Sequence, residues 1–525
     1  MKKRFLIPVI MIFLLTVFMI YKVYFMERNY NVIIFTLDTT RADYIDTGQG
    51  AKAKTPVLKN IAKNSIVCKN AYTVIPITMP SHTSIFTGRL PYETGVFNNG
   101  ENYEKQLPTL AEIFKKKGYE TGAVISLGVL LKEHKLNKGF DYYSDDFSSA
   151  FPSYFLNAET ITKRGLSLLK KFKTKKFFLW LHYSDPHEPY APPYLKRMIH
   201  IWLNQKLIAI FNLYNVTPMT VKLDLNKGKN TIFLTRLKYL RGFLAYPLKI
   251  KDLKILAKED TIKLNFYNTK IYNDKKLLLL NNKSYIEIFS PKKQTVTISF
   301  NMGPNLIESF KTKLYRKEVE YMDYKIGEII GFLKKNKLYK KTVLIFVGDH
   351  GEGLGEYRGN FGHIHFLRPQ YIKVPLFLKL PSKKSMIVNN LVSTIDIAPT
   401  LLKYMRFKTK HLNFSGINIF KINSKRTIFS YTYRPESFFN GVSIIHNNFQ
   451  FIKYKGAKSF EEFLDLNKSK GYVLSDNIIN NVRYLNIIKK MKKTAILKLR
   501  KSKRRSQTGN FSEETKKILK SLGYL

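Results

Sequence analysis

Four short runs of consecutive apolar residues constrain this chain more than anything else in it. They are Asn31 to Leu37 (NVIIFTL), Phe177 to Leu181 (FFLWL), Val343 to Val347 (VLIFV) and Pro375 to Leu378 (PLFL). A strand with one wet face alternates polar and apolar residues, whereas runs that are apolar throughout must be covered on both faces. Between them lie segments with apolar residues at helical intervals, such as Leu107 to Lys117 (LPTLAEIFKKK) and Tyr315 to Lys334 (YRKEVEYMDYKIGEIIGFLK). The pattern predicts an α/β fold in which all four runs are buried parallel strands of a mostly parallel central sheet, flanked by helices. At 525 residues and 44% hydrophobic content the chain can bury such a core.

The character changes between about residues 201 and 301, where Thr217 to Asp224, Thr261 to Tyr267 and Gln294 to Phe300 alternate. An inserted β-rich domain is expected over 201–303, splitting the α/β domain into 28–200 and 304–425. A C-terminal subdomain and basic tail follow over 426–525. At the other end, Met1, Lys2, Lys3 and Arg4 precede an apolar run from Phe5 to Tyr21, broken only by Pro8 and Thr16. That is about the minimum for a spanning helix, and the leading charges keep the N-terminus cytoplasmic. Residues 1–27 therefore read as a single-pass anchor in the cell membrane, with the rest extracytoplasmic, in the periplasm. The alternative is a cleaved signal peptide, for which no small-x-small site follows.

Lys and Arg number 89 against 38 Asp and Glu, a formal charge of +51. Either the excess attracts anionic surroundings such as phospholipid and acidic glycans, or it is a bias spread over every surface. The basic run Lys489 to Arg505 reads as a solvated helix face, and no nucleic-acid partner is expected. Cys68 is the one cysteine and reads as a core residue. It excludes an internal disulfide and any multi-thiolate metal site, so the chemistry must come from oxygen and imidazole.

Those groups sit where strands end. Asp38 follows the first run, Asp185 and His187 the second, and Asp349 with His350 the third. In doubly wound sheets ligands bind beyond the carboxyl ends of strands, so these five side chains can converge. Six of the ten histidines, His82, His182, His187, His350, His363 and His365, fall in these short segments, which argues for a metal or acid–base centre. In Pro76 to Gly88, Pro80 suits a first helical turn, Thr78 lies just outside it and Gly88 can close the helix. The Thr78 hydroxyl is either an N-cap or a nucleophile. Asp38 could instead cap a helix starting near Thr40, Glu352 and Glu356 support the site or face solvent, His182 reads as a satisfied core histidine, and Asp185 is a candidate for a second cation.

In NVIIFTLDTTRADY (Asn31 to Tyr44), PITMPSHTSIFTGRLPYETGV (Pro76 to Val96), FFLWLHYSDPHEPYAPP (Phe177 to Pro193), VLIFVGDHGEGLGE (Val343 to Glu356), VSTIDIAPTLL (Val392 to Leu402) and SEETKKILKSLGYL (Ser512 to Leu525), the chain resembles a sulfatase-type member of the alkaline phosphatase superfamily. The resemblance implies an alkaline-phosphatase-like sulfatase fold and one divalent metal ion held by Asp38, Asp349 and His350, with Thr78 as nucleophile and shared ligand. It also implies that His187 assists the leaving group or the bound anion and that His363 contacts the transferred group, with His365 as the other choice. Thr39 stands where family members usually have a second acid, and His350 where Asn is frequent. The leaner oxygen set moves the expected metal from calcium towards zinc or manganese. Thr78-Met79-Pro80-Ser81-His82 replaces C-x-P-S-R, so no formylglycine is expected, and His82 replaces a permanent charge with a pH-dependent one. The expected protein is a membrane-anchored metallohydrolase cleaving sulfate or phosphate esters of an envelope polysaccharide or lipid. A phosphoethanolamine- or phosphoglycerol-type transferase and a non-catalytic glycan-binding protein are the alternatives.

Overall fold

The computed structural model describes residues 27–48, 50–148, 154–188, 190, 198–212, 217–236, 248–256, 263–272, 277–304, 308–434, 439–456, 459–501 and 516. The expected anchor over 1–27 and the end of the basic tail lie outside the described residues, apart from Glu27. Among the described residues no helix is long and apolar enough to cross a membrane. The chain divides into two compact units, one running to His187 and resuming at Arg316, the other Glu188–Tyr315.

The first unit is built on an eight-stranded sheet. Its strands are β1 (Asn31–Leu37), β2 (Ile66–Tyr72), β3 (Glu120–Val124), β4 (Tyr142–Ser144), β5 (Phe177–Tyr183), β14 (Thr342–Gly348), β17 (Leu376–Lys379) and β18 (Met386–Ser393), in the order β18-β2-β17-β14-β1-β5-β3-β4. Every residue of β1, β5 and β14 is buried, as runs without a polar face require. β1 pairs in parallel with β14 on one side and β5 on the other, with Leu37 level with both Gly348 and Tyr183. The residues after these positions therefore emerge side by side at one edge.

One expectation fails. The run Pro375 to Leu378 forms β17, which is antiparallel to both β14 and β2. A parallel return needs a crossover helix over the sheet, and the helical piece between β14 and β17 is only Pro369–Ile372. β2, β3, β4 and β18 carry mixed polar and apolar residues and were not signalled by apolar runs. Cys68 lies buried in β2. The expected helices are present as Leu110–Lys116, closed at its start by a Thr109–Glu112 capping box, and Glu308–Lys335, which begins earlier than its spacing suggested.

Also in this unit, two short strands, β15 (Gly353–Leu354) and β16 (Phe361–Gly362), pair with each other, and a four-stranded antiparallel sheet follows. The latter comprises β19 (Thr427–Arg434), β20 (Phe439–His446), β21 (Phe449–Lys455) and β22 (Phe460–Asp465). The helix Leu485–Lys501 buries Ile488, Met491 and Ala495 in the same core as Tyr431, Val442 and Phe463, and exposes Lys489, Lys490, Lys492 and Lys493. That is the solvated basic face expected of the run beginning at Lys489.

The second unit holds β6 (Met198–Leu203), β7 (Lys206–Asn212), β8 (Thr217–Leu225), β9 (Gly228–Arg236), β10 (Leu248–Leu256), β11 (Lys263–Tyr272), β12 (Leu277–Ser290) and β13 (Gln294–Pro304). All its pairings are antiparallel. Alternation has the expected consequence on β8, where Val221, Leu223 and Leu225 are buried while Lys222 and Asp224 are exposed.

Candidate active site

β1 ends at Leu37, and the next residue, Asp38, donates its N–H to Tyr183 O at 2.8 Å. Thr39 then takes φ +52, a left-handed turn uncommon for a β-branched residue. The turn swings the Thr39 N–H onto Asp349 Oδ1 at 3.1 Å. Asp349 Oδ1 also accepts the His350 N–H at 2.7 Å. Its other oxygen, Oδ2, has no hydrogen-bond partner among the described residues. Asp38 shows the same division: Oδ2 accepts from His182 Nε2 at 3.0 Å, and Oδ1 is unpartnered. Asp38 caps no helix.

Both carboxylates are fully buried. Burial, and next the charge of Asp38, push Asp349 well above its ordinary range. Burial opposes ionisation of Asp38 too, but the hydrogen bond from His182 and the nearby imidazoles of His350, His182 and His187 outweigh it and hold Asp38 below its usual value. His350 Nδ1 lies 3.0 Å from Gly351 O, so that nitrogen carries the proton and the Nε2 lone pair faces the carboxylates. Burial, followed by His363, pushes His350 down to about 3, which leaves it neutral.

Asp38, Asp349 and His350 each offer a ligand atom, and the three atoms lie within 4.8 Å of one another. Two buried carboxylate oxygens without donors, facing a neutral imidazole nitrogen, match the donor set of a divalent cation. Such an ion would supply the positive charge that this pair of buried carboxylates lacks. Asp185 does not join them: its Oδ1 accepts the N–H of Ala158, the first residue of the helix Ala158–Phe172, at 2.9 Å.

Thr78 is the first residue of the helix Thr78–Thr87, whose N-cap is Ile77; Gly88 ends it in the left-handed conformation. The Thr78 hydroxyl caps nothing. Its Oγ1 lies 3.3 Å from His350 Nε2, beside the carboxylate pair. Asn99 Oδ1 takes the capping duty, accepting the Met79 N–H at 2.9 Å. The helix is fastened to the sheet edge by Ser81, whose hydroxyl donates to Asp349 O at 2.7 Å. One turn on from Thr78, His82 sits with Nδ1 2.8 Å from Thr78 O and its ring 4.8 Å, edge-on, from that of His182. Burial and then His182 push His82 down to about 3, so it brings no positive charge beside Thr78.

His363 stands next to this cluster, its ring 4.4 Å from that of His350 and 5.1 Å from that of His187. Buried Glu352 orients it, with Oε2 2.9 Å from His363 Nδ1. His365 instead packs edge-on against Phe366 at 6.1 Å. Glu356 pairs with the buried guanidinium of Arg41 at 2.6 Å. The structure therefore brings Asp38, Thr78, His82, His187, Asp349, His350 and His363 to one edge of the sheet. It adds Asn99, which the motifs did not single out, and gives Glu352, read as supporting the site or facing solvent, a partner in His363. His182 is the satisfied core histidine expected, with Ser126 N and Oγ on its Nδ1 at 3.2 and 2.9 Å, but its other partner is Asp38. A polar ring inside a wholly buried strand must find such a partner, and that was the available signal.

A family model described as sulfatase matches residues 30–407. The N-acetylglucosamine-6-O-sulfatase of Bacteroides thetaiotaomicron is 22% identical over 389 residues, 71% of this chain and 67% of that protein. The choline-sulfatase of Rhizobium meliloti is 22% identical over 71% of this chain and 66% of its own length, so the chain spans about two thirds of these relatives. Among solved structures, one in complex with its substrate D-glucosamine-2-N,6-O-disulfate superposes with a TM-score of 0.60 at 15% identity, covering 92% of this chain and 99% of that one. The phosphonate monoester hydrolase of Silicibacter pomeroyi gives 0.58 at 15% identity, covering 91% and 97%.

Proposed function

This chain belongs to the sulfatase family, and from that premise we propose that it is a metal-dependent hydrolase of sulfate or phosphate esters that uses Thr78 as its nucleophile. The observation that supports this most directly is the Thr78 hydroxyl, freed from capping and lying 3.3 Å from His350 Nε2 beside two buried carboxylates with unpartnered oxygens. A divalent cation held by Asp38, Asp349 and His350, zinc or manganese before calcium, would lower the pKa of the Thr78 hydroxyl and offset charge on the ester oxygens. Thr78 Oγ1, its proton given up to water, attacks sulfur or phosphorus and the bond to the alcohol breaks. His187 donates a proton to the departing alcohol oxygen. His363, fixed by Glu352, holds the non-bridging oxygens of the transferred group. Water then cleaves the Thr78 ester and restores the hydroxyl.

The substrate is an anionic ester on an extracytoplasmic polysaccharide or lipid, in keeping with relatives named for sulfated sugars. We place the chain at the cell membrane through residues 1–27, with the β-rich insertion and loops as the substrate-selecting parts. The similarity to a phosphonate monoester hydrolase is the reason phosphorus esters stay beside sulfate esters.

The test uses the full chain in detergent with aryl sulfate, phosphomonoester and phosphodiester substrates and added zinc, manganese or calcium. Turnover of one ester class is expected, falling about a thousandfold or more in Thr78→Ala. Turnover equal in parent and variant overturns the nucleophile. Group transfer only when a lipid donor and glycan acceptor are both supplied identifies the transferase instead.

A further inference from the structure

A cavity of about 320 Å³ lies beyond the exit of β1, with Asp43, Cys68, Lys69, Lys373, Lys470 and Tyr472 in its walls. That volume is at the small end of the range typical of ligand pockets, roughly 300–1,000 Å³. None of its wall residues belongs to the Asp38–Asp349–His350 cluster.

Its electrostatics are one-sided. Three lysines line it from separate stretches of chain: Lys69 on β2, Lys373 after the Pro369–Ile372 turn, and Lys470 beyond β22. Among the described residues none of the three has a carboxylate partner. Among the described residues the Lys373 ammonium makes one hydrogen bond, to Asn70 Oδ1 at 3.3 Å, and burial pushes it below its usual range, the charge of Asp43 offsetting only part of that. The wall carboxylate, Asp43, is already taken by Arg41 Nε and Nη2, both at 2.9 Å, and by Lys52 at 2.8 Å. The walls thus carry positive charge not matched by an ion pair, and for Lys69 and Lys373, which are half-buried, an ammonium with unused donors is unfavourable until an anion meets it.

We infer that this cavity binds a sulfate- or phosphate-type oxyanion, free or carried on a sugar of about monosaccharide size, at a site separate from the metal cluster. Lysines from three separate stretches lining one cavity suit the several oxygens of a tetrahedral anion better than a planar carboxylate, which a single fork would satisfy. The inference does not depend on which bond is cleaved at Thr78.

Calorimetric titration of the full chain carrying Thr78→Ala, at low ionic strength, tests it with sodium sulfate in one arm and glucosamine 6-sulfate in the other. A binding event is expected that Lys373→Gln with Lys470→Gln weakens tenfold or more and that Asp349→Asn leaves in place. Tighter binding of the sugar sulfate than of the free ion assigns the site to a substituted saccharide, and the reverse assigns it to the free ion. Lys470→Glu, at an exposed side chain, must weaken the same event and decides the matter if the double variant fails to fold. No event in the parent, or an event lost with Asp349→Asn and untouched by the lysine changes, overturns the proposal.

Discussion

At the scale of single residues, His182 makes the sharpest test of how the site is held. It holds one oxygen of Asp38 while Ser126 fixes its tautomer, so His182→Ala leaves a buried carboxylate without its donor. Metal affinity measured by competition with a chelator is expected to fall about 10–100-fold, with partial recovery in His182→Gln, whose amide can donate in place of Nε2. Asp185 yields a prediction in pH. Burial pushes it up to about 7, against 3.8 as its ordinary value. Below the ordinary value both folded and unfolded chains hold the proton and the group costs nothing. As pH rises towards 7 the unfolded chain gives up its proton first, so stability falls, by about 4 kcal/mol at most. Asp185→Asn keeps an oxygen for the Ala158 N–H and cannot ionise. It is expected to melt above the parent at pH 8 and level with it near pH 4; a larger gap at the acid end would contradict this reading. The acids at the strand ends were legible because each follows an apolar run that dictates where the strand stops. Asn99 was not, nor were the partners of His182 and Glu352, because these roles are contacts to groups 20, 144 and 11 residues away, which periodicity does not encode.

At the scale of elements, the site depends on how closely the turns beyond β14 approach their neighbours. A Cβ on Gly351 would lie 2.0 Å from Gln370 O, a backbone atom with no room to give. Gly351→Ala must therefore displace the segment that carries Asp349 and His350. The expected outcome is loss of turnover together with a lower melting temperature, whereas parent-like turnover would mean that the site tolerates a shifted turn. The segment leading into the helix of Thr78 is held too: Tyr431 N donates to Val74 O at 2.7 Å and Ser430 Oγ to Thr73 O at 2.6 Å, so β19 clamps the approach to Thr78. Neither the clamp nor the reversal of β17 was visible in the sequence. Apolar continuity says that a strand is buried on both faces and is silent on its direction, which is set by the length of the connection before it.

At the scale of the whole molecule, what remained legible was character rather than arrangement. Alternation marked the second unit as β-rich, but the strand order β7-β6-β9-β12-β10-β13-β8 rests on pairings between distant segments that no local pattern specifies. Net charge is the one global property that needs no fold to read, and it has a consequence for folding. At +51 the folded chain concentrates like charges that the unfolded chain can spread apart, so self-repulsion opposes compaction. The helix Leu485–Lys501 concentrates this locally, with Lys489, Lys490, Lys492 and Lys493 exposed and, among the described residues, only Lys492 paired, to Glu461 at 2.9 Å. Raising ionic strength from about 0.01 M to 0.1 M shortens the screening length from about 30 Å to about 10 Å. Repulsion over those distances is then removed while close ion pairs are weakened far less. The melting temperature of the full chain should rise across that range in sodium chloride, and rise further in sulfate if the lysine-walled cavity is also filled. A fall in chloride would mean that the basic residues are already balanced by their local partners and that the excess charge costs the fold nothing.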